Sequence, residues 1–343
     1  MSNVATLPFA PARTRVSRPA AEAPRLFVVI DTEEEFDWHA PHDRAQTSVT
    51  AMRHIGRAQT LFDGYGLKPT YVIDYPVAHQ PEGHALLKEY AAADRCTIGA
   101  HLHPWVTPPH DEVVNARNSF GCNLPPALEA AKIQTMVETI EGNLGVRPRA
   151  FKAGRYGIGA ATVDTLERLG FEVDLSVNPH MDFSREQGPS FVKFDAWPFL
   201  LTGRRQPMLF LPCTVGYVGV AGEFGRPLHA FASNPTLAPL RAVGVLSKLG
   251  ITNRVMLSPE GNTLDEMKAL ARALHARGLR TFSLTFHSPS VEPGHTPYVR
   301  SDSDLREFLA RIDEFCDFFF RELGGVPGRP LDYRATLLEE STR

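Results

Sequence analysis

The chain has 343 residues, 43% hydrophobic and 22% charged, with 36 basic against 39 acidic side chains and a net charge of −3. That is the composition of a folded globular protein, long enough for one barrel-sized domain. No basic stripe offers itself to nucleic acid, and no apolar run approaches the roughly 20 residues of a membrane-spanning helix.

Residues 1–24 are rich in Ala, Pro, Ser and Arg and read as a flexible tail. Pro8 and Pro11 break its apolar stretch short of the about 7–15 residues a secretory signal requires, which predicts a cytoplasmic protein. Residues 25–325 then alternate short apolar runs with helical patterns as a single domain, and 326–343 form a C-terminal extension. Strands are predicted at Leu26–Ile30 (LFVVI), Pro69–Asp74, Cys96–His103, Arg149–Arg155 and Phe171–Val177. Helical spacing covers 47–66, 82–93, 126–144 and 159–169 between them. From 178 to 227, Pro, Gly and aromatic residues crowd a β-rich excursion, read as an inserted hairpin or a long departure from the barrel. A helix at 228–249, a strand at Arg254–Leu257, a helix at 263–276, a strand at Arg280–Phe286 and a closing helix at 302–323 complete the pattern. Cys96, Cys122, Cys213 and Cys316 are widely spaced without a C-x-x-C pair, and read as reduced, mostly buried thiols.

About seven β–α units predict parallel strands covered by helices, in a closed or irregular barrel or an open sheet. Chemistry in such folds gathers at the C-terminal strand ends. Those ends carry Asp31, Asp74, His101, His103, Arg155, Asp174, Glu260 and His287. Residues i and i+2 of a strand share a face, so His101 and His103 of GAHLHPW point the same way and can share a divalent ion. Asp31 and Glu33 of DTEEEFDW share a face by the same rule, one to bind the ion and the other to act as base. Glu34 and Glu35 read as helix-start or supporting carboxylates. Arg155 in FKAGRYG can clamp a carboxylate, and a backbone N–H near Tyr156 can donate to a developing oxyanion. His287, at the end of SLTFH, is a candidate general acid, with Asp174 or Asp182 to orient it.

Taken in order, VIDTEEEFDW, GAHLHPW, AGRYG, the region from Asp174 to Asp182, and SLTFH resemble the motifs of the polysaccharide deacetylase family. These are the NodB-homology enzymes of carbohydrate esterase family 4, and the pattern looks closest to the WalW-like branch. The resemblance spans residues 25–323. It implies an irregular (β/α)7 barrel that removes N- or O-acetyl groups from a sugar or glycan, in surface-polysaccharide metabolism. It also implies one divalent ion, zinc first, with iron, cobalt, nickel or manganese as substitutes. On this resemblance Asp31 is the general base, fixed by Arg155, and Glu33, His101 and His103 hold the ion. The Tyr156 N–H binds the oxyanion, and His287 protonates the leaving amine. Two departures stand out. Thr32 and Glu33 follow Asp31 where the family carries adjacent aspartates, and Trp105 occupies the place of the family's second histidine. The second imidazole is then His103 or the more distant His110. Two other classes compete. An amidohydrolase or PHP-type metal hydrolase would carry H-x-H on its first strand, which this chain does not. A silent carbohydrate-binding barrel would use the aromatic residues of 178–227 but has no need of Asp31, Arg155 and His287 together.

Overall fold

The computed structural model describes residues 13–202, 205–221, 225 and 251–341. In chain order the strands are β1 (Arg13–Arg15), β2 (Arg25–Thr32), β3 (Thr70–Ile73), β4 (Thr97–Leu102), β5 (Ala150–Ala153), β6 (Val173–Asp174), β7 (Phe199–Leu201), β8 (Met208–Phe210), β9 (Val215–Val218), β10 (Asn253–Met256), β11 (Thr281–His287) and β12 (Val326–Pro327). The helices are α1 (Gly56–Gly64), α2 (Tyr75–His79), α3 (Pro81–Ala92), α4 (Pro126–Leu144), α5 (Ala160–Leu169), α6 (Leu264–Ala276), α7 (Asp302–Arg321) and α8 (Pro330–Ser341). The main sheet runs β1-β7-β8-β6-β5-β4-β3-β2-β11, with β12 beside β2. From β8 to β11 each neighbouring pair is parallel. This is the seven-stranded parallel pattern expected of an irregular (β/α)7 barrel. The sheet curls, and Leu257 bridges β11 and the segment that follows β8. The Leu257 N–H donates to Thr214 O at 2.8 Å, and its carbonyl accepts from Thr285 N–H at 3.1 Å.

Strand alternation sorts the side chains into two layers. On β2, Leu26, Val28 and Ile30 face the helices, in a core shared with Phe62 of α1, Leu87 of α3 and Ile312 of α7. Phe27 and Val29 face the interior, with Val72, Ala150, Val173, Leu175 and Leu209. Asp31 continues this inner face at the C-terminal end of β2. The interior is tight: a Cβ at Gly99 of β4 would lie 2.8 Å from Ala150 O. Its lower end is closed by α8, whose Tyr333 and Leu337 join the inner core together with Val16. The Phe27 and Tyr333 rings lie 5.6 Å apart. The lower interior is therefore mostly apolar, with a few buried hydroxyls such as those of Thr281 and Ser283, and the ionisable side chains stand at the top.

Several boundaries differ from the sequence reading. The tail does not stay free to residue 24: Arg13–Arg15 pairs with Phe199–Leu201, the Arg15 guanidinium lies 4.3 Å over the Trp197 ring, and Val16 is buried. The excursion is only partly an insertion. β7 and β8 do form an antiparallel hairpin, but β8 also pairs in parallel with β6 as a barrel strand. The predicted 47–66 helix divides into a 3-10 turn, Thr50–His54, and α1. The predicted 228–249 helix lies outside the described residues. All four cysteines are free thiols, with Cys96, Cys213 and Cys316 buried. Among the described residues no helix is long and apolar enough to cross a membrane.

If α8 seals the barrel as described, Tyr333→Ala should cost about 3 kcal/mol. The measurement is urea unfolding. A loss below about 0.5 kcal/mol, the scale of an ordinary surface substitution, would place α8 outside the folded core.

Candidate active site

Inner-face positions at the top of β2, β4, β5 and β11 bring Asp31, His101, Lys152 and His287 to one place, and the segment after β2 adds Glu33. His101 and His103 stand with ring centroids 4.6 Å apart. Their Nε2 atoms lie 3.6 and 3.4 Å from Glu33 Oε2. The opposite ring edges are tied down: His101 Nδ1–H donates to the Lys152 carbonyl at 2.9 Å, and His103 Nδ1 meets Glu34 Oε2 at 2.7 Å. Burial lowers both imidazole pKa values, that of His103 to about 4. Both rings are thus neutral, with Nε2 lone pairs turned toward Glu33. The arrangement brings together ligand atoms of Glu33, His101 and His103, all within 4.8 Å of one another. Gly154 allows the close approach of β5 to this pair, because a Cβ there would collide with His103 Cδ2 and Leu102 O.

Glu33 and Glu34 have different tasks. Both oxygens of Glu34 are engaged, Oε2 by His103 and Oε1 by the Trp105 indole N–H at 2.8 Å. Its backbone N–H donates to Asp74 Oδ2 at 2.7 Å. Burial pushes its pKa up to about 7. Glu33 Oε1, by contrast, is buried with no hydrogen-bond partner. An orphaned carboxylate oxygen in a desolvated site is costly unless a cation meets it. Glu35 is taken up elsewhere and caps the 3-10 turn through Ala51 N–H and the hydroxyls of Ser48 and Thr50.

Asp31 is fixed by Lys152. The Nζ donates to both carboxylate oxygens, at 2.6 and 2.7 Å, and Lys152 is 1% exposed. Burial opposes the charge on Asp31, but Lys152, helped by the protonated His287, outweighs it and holds the carboxyl below its ordinary value. The expected clamp, Arg155, is not there. With Tyr156 it sits in a turn of left-handed backbone (φ 52° and 59°), which carries its guanidinium out to Ser119 Oγ, Glu186 and the Phe120 ring. The sequence did hold a signal for Lys152: it alternates with Phe151 and Ala153, so it shares the inner face with Ala150.

His287 is oriented by Glu260, not by either aspartate expected. Glu260 Oε2 meets His287 Nδ1 at 2.7 Å, and Oε1 accepts from the His287 backbone N–H and from Ser290 Oγ. Burial disfavours the imidazolium, yet Glu260, Glu33 and Asp31 together prevail and push its pKa up to about 10. His287 Nε2 faces Asp31 Oδ2 at 3.8 Å. Asp174 belongs to the outer face, because Val173 and Leu175 on either side of it face inward. It binds Ser176 through the backbone N–H and the hydroxyl, and Ser176 in turn holds Ala153 N–H of β5. Asp182 is exposed and accepts from Ser184 N–H. His110 is exposed too, away from the ligand cluster.

These groups open into a cavity of about 300 Å³. Phe36, Trp38, Tyr156, Met181, Phe183 and Tyr298 are among its walls, with Arg155, Asn178 and Arg254 as polar members. The Trp38 ring stands edge-on to His287 at 5.0 Å and to Tyr298 at 5.8 Å.

No family profile matches the sequence, and no curated protein matches it. Solved structures do. The chain is similar to polysaccharide deacetylases and family 4 carbohydrate esterases. A Mycobacterium smegmatis protein assigned as a polysaccharide deacetylase covers 92% of this chain and 98% of its own, at 15% identity and TM-score 0.46. A family 4 carbohydrate esterase from Streptomyces lividans, in complex with acetate, covers 89% and 92%, at 10% identity and TM-score 0.40. A family 4 pseudoenzyme from Bacillus anthracis covers 91% and 66%, at 8% identity and TM-score 0.43.

Removing Lys152 alone leaves a buried carboxylate unpaired, which typically costs about 3–5 kcal/mol. Lys152→Met should therefore be severely destabilised in chemical unfolding, and Lys152→Met with Asp31→Asn should recover much of the loss. Equal instability of the single and double variants would show that the ion pair is not what holds these two strands.

Proposed function

We propose that the chain is a metal-dependent hydrolase that removes acetyl groups, N-acetyl first, from a sugar or glycan of surface-polysaccharide metabolism. The observation that carries this reading is the unpartnered Glu33 Oε1, buried beside two neutral imidazoles within reach of Asp31 and His287. A carboxylate and two histidines suit a divalent ion such as zinc with a position left open. Glu33, His101 and His103 would hold it, and Glu34 and the Lys152 carbonyl would fix the ring orientations. When bound, such an ion supplies Lewis acidity toward water and an acetyl carbonyl.

The chain's own residues divide the proton work. Asp31 is ionised and accepts the proton of the attacking water at a carboxylate oxygen. Lys152 keeps that carboxylate oriented while lowering its basicity. His287 is held protonated by Glu260, and its Nε2 is the proton source for the departing amine. The Tyr156 N–H, at the cavity wall, is assigned to the oxyanion. Trp38, Tyr298 and Phe183 offer ring faces and edges for a pyranose, and they exclude water around the reacting bond. Arg155 and Asp174 act in this reading through structure: Arg155 pins the turn that carries Tyr156, and Asp174 braces the end of β5 through Ser176.

Metal analysis and acetate release on N-acetylated glycans and nucleotide sugars test the whole. Asp31→Asn should abolish acetate release with metal content nearly intact, and His101→Ala should lose the metal. Protein that neither holds nor binds a divalent ion on titration sinks the reading. Turnover of phosphate esters without acetate release would favour a PHP-type enzyme instead. Glu260→Gln provides a separate check through pH. Glu260 raises the His287 pKa, and the protonated imidazole is the active form. Its removal should shift the alkaline limb of kcat/KM to lower pH; an unmoved limb would remove His287 as the acid.

A further inference from the structure

We infer that Arg254 is the recognition residue for an anionic substituent of the substrate, a carboxylate or a phosphate, bound in the same cavity as the reacting acetyl group; this rests on the deacetylase reading above. Arg254 lies on β10, opposite Tyr217 of β9 in the antiparallel register. It lines the cavity that contains Asp31, Glu33 and His287. Its two hydrogen bonds both come from Nη2, to Asn178 Oδ1 at 3.0 Å and to Pro179 O at 3.4 Å. Both acceptors are neutral. Its Nε is buried with no partner.

The contrast with the neighbouring cations is what matters. Lys152 is neutralised by Asp31, and Arg155, the other arginine of the cavity wall, is neutralised by Glu186. Among the described residues, Arg254 has no carboxylate within ion-pairing distance. The groups acting electrostatically on it are Tyr217, Tyr156 and Cys213, and burial lowers its pKa. A guanidinium cannot shed its proton in a protein, so its charge persists in a partly desolvated wall with donors unused. Such a group gains most from an anion that accepts from the planar fork in two places. A purely structural Arg254 would anchor the corner at Asn178 and Pro179, a task that needs hydrogen bonds but no charge.

The test uses the metal-loaded protein and three matched acetamido sugars: a neutral N-acetylglucosamine glycoside, its 6-phosphate, and the corresponding uronate. Charge-assisted recognition predicts kcat/KM for an anionic sugar about 10- to 100-fold above the neutral one. Arg254→Gln should collapse that ratio through KM, and Arg254→Lys should keep part of it. Whichever of the phosphate and the uronate is favoured identifies the anion. A neutral sugar preferred by the wild type, or an equal loss on all three in Arg254→Gln, overturns the inference. Calorimetric binding of the same three sugars separates this from the reading beneath it. If no acetate is released from any of them, yet the anionic sugars bind more tightly in an Arg254-dependent way, Arg254 recognition stands and deacetylation falls. If acetate is released without charge preference, deacetylation stands and Arg254 recognition falls. Absence of both binding and charge preference also overturns it.

Discussion

The ion pair between Lys152 and Asp31 is the constraint from which the rest of the site takes its form. Two charges are withdrawn from water at the point where the barrel interior changes from apolar to polar. The desolvation cost is offset by two short hydrogen bonds from one ammonium to both carboxylate oxygens. The same residue reaches a second partner through its backbone, since the Lys152 carbonyl receives His101 Nδ1–H. One position on β5 therefore orients the carboxylate of β2 and an imidazole of β4. β5 is itself held in place by Ser176, which receives Ala153 N–H and is braced by Asp174.

Around that pair the site is layered. The three imidazoles facing the centre each have a partner behind them that leaves one ring edge available. Glu34 stands behind His103 and Trp105. Glu260 stands behind His287, with Ser290 and Thr296 continuing the chain of hydrogen bonds. This is how a preorganised polar site is kept from collapsing on itself: the fixed partners consume the orienting hydrogen bonds and leave the reactive atoms pointing inward. Among the described residues, Glu33 Oε1 and Arg254 Nε are the two cavity-wall atoms where a buried polar group lacks such a partner. One is anionic and the other cationic, and a cation and an anion respectively would complete them.

The barrel's two ends make this chemistry one-sided. Below, Phe27, Val29 and Val72 meet Tyr333 and Leu337 of α8, and Val16 from the N-terminal segment fills the same core. The buried hydroxyls of Thr281, Ser283 and Tyr333 lie in this part as well, but the charged groups gather at the other end. The inner-face sequence of β11 rises from Thr281 at the lower end through Ser283 and Thr285 to His287 at the mouth, and approaches Lys152 through Thr285 at 3.4 Å. Water and substrate are thereby confined to the mouth, where the aromatic walls stand.

Much of this was legible in the chain itself because it depends on local periodicity. The alternation of apolar runs with helical spacing predicted six of the seven parallel strands; the seventh, β8, lies inside the expected excursion, and the strand expected at Arg254–Leu257 pairs antiparallel with β9 in a separate sheet. The period of two placed Asp31 and the His101–His103 pair on one inner face. Strand-end chemistry also picked out Glu260 and His287, although not their bond to each other. What the sequence could not decide were pairings between distant segments. Arg155 looked like the clamp because an arginine follows the strand, but the left-handed turn at 155 and 156 sends it outward, and the lysine three residues earlier takes its place. Asp174 looked like a support for His287 until a two-residue strand between inward-facing Val173 and Leu175 turned it to the outer face. The period of two put Glu33 rather than Glu34 beside Asp31, but only the partners of Glu34, His103 and Trp105, show what the second glutamate does. The sequence alone determined which residues could carry charge to the barrel mouth. Only the tertiary structure decided which charge met which, because hydrogen bonds across 121 or 27 positions, as between Asp31 and Lys152 or Glu260 and His287, follow from strand order and register and leave no local trace.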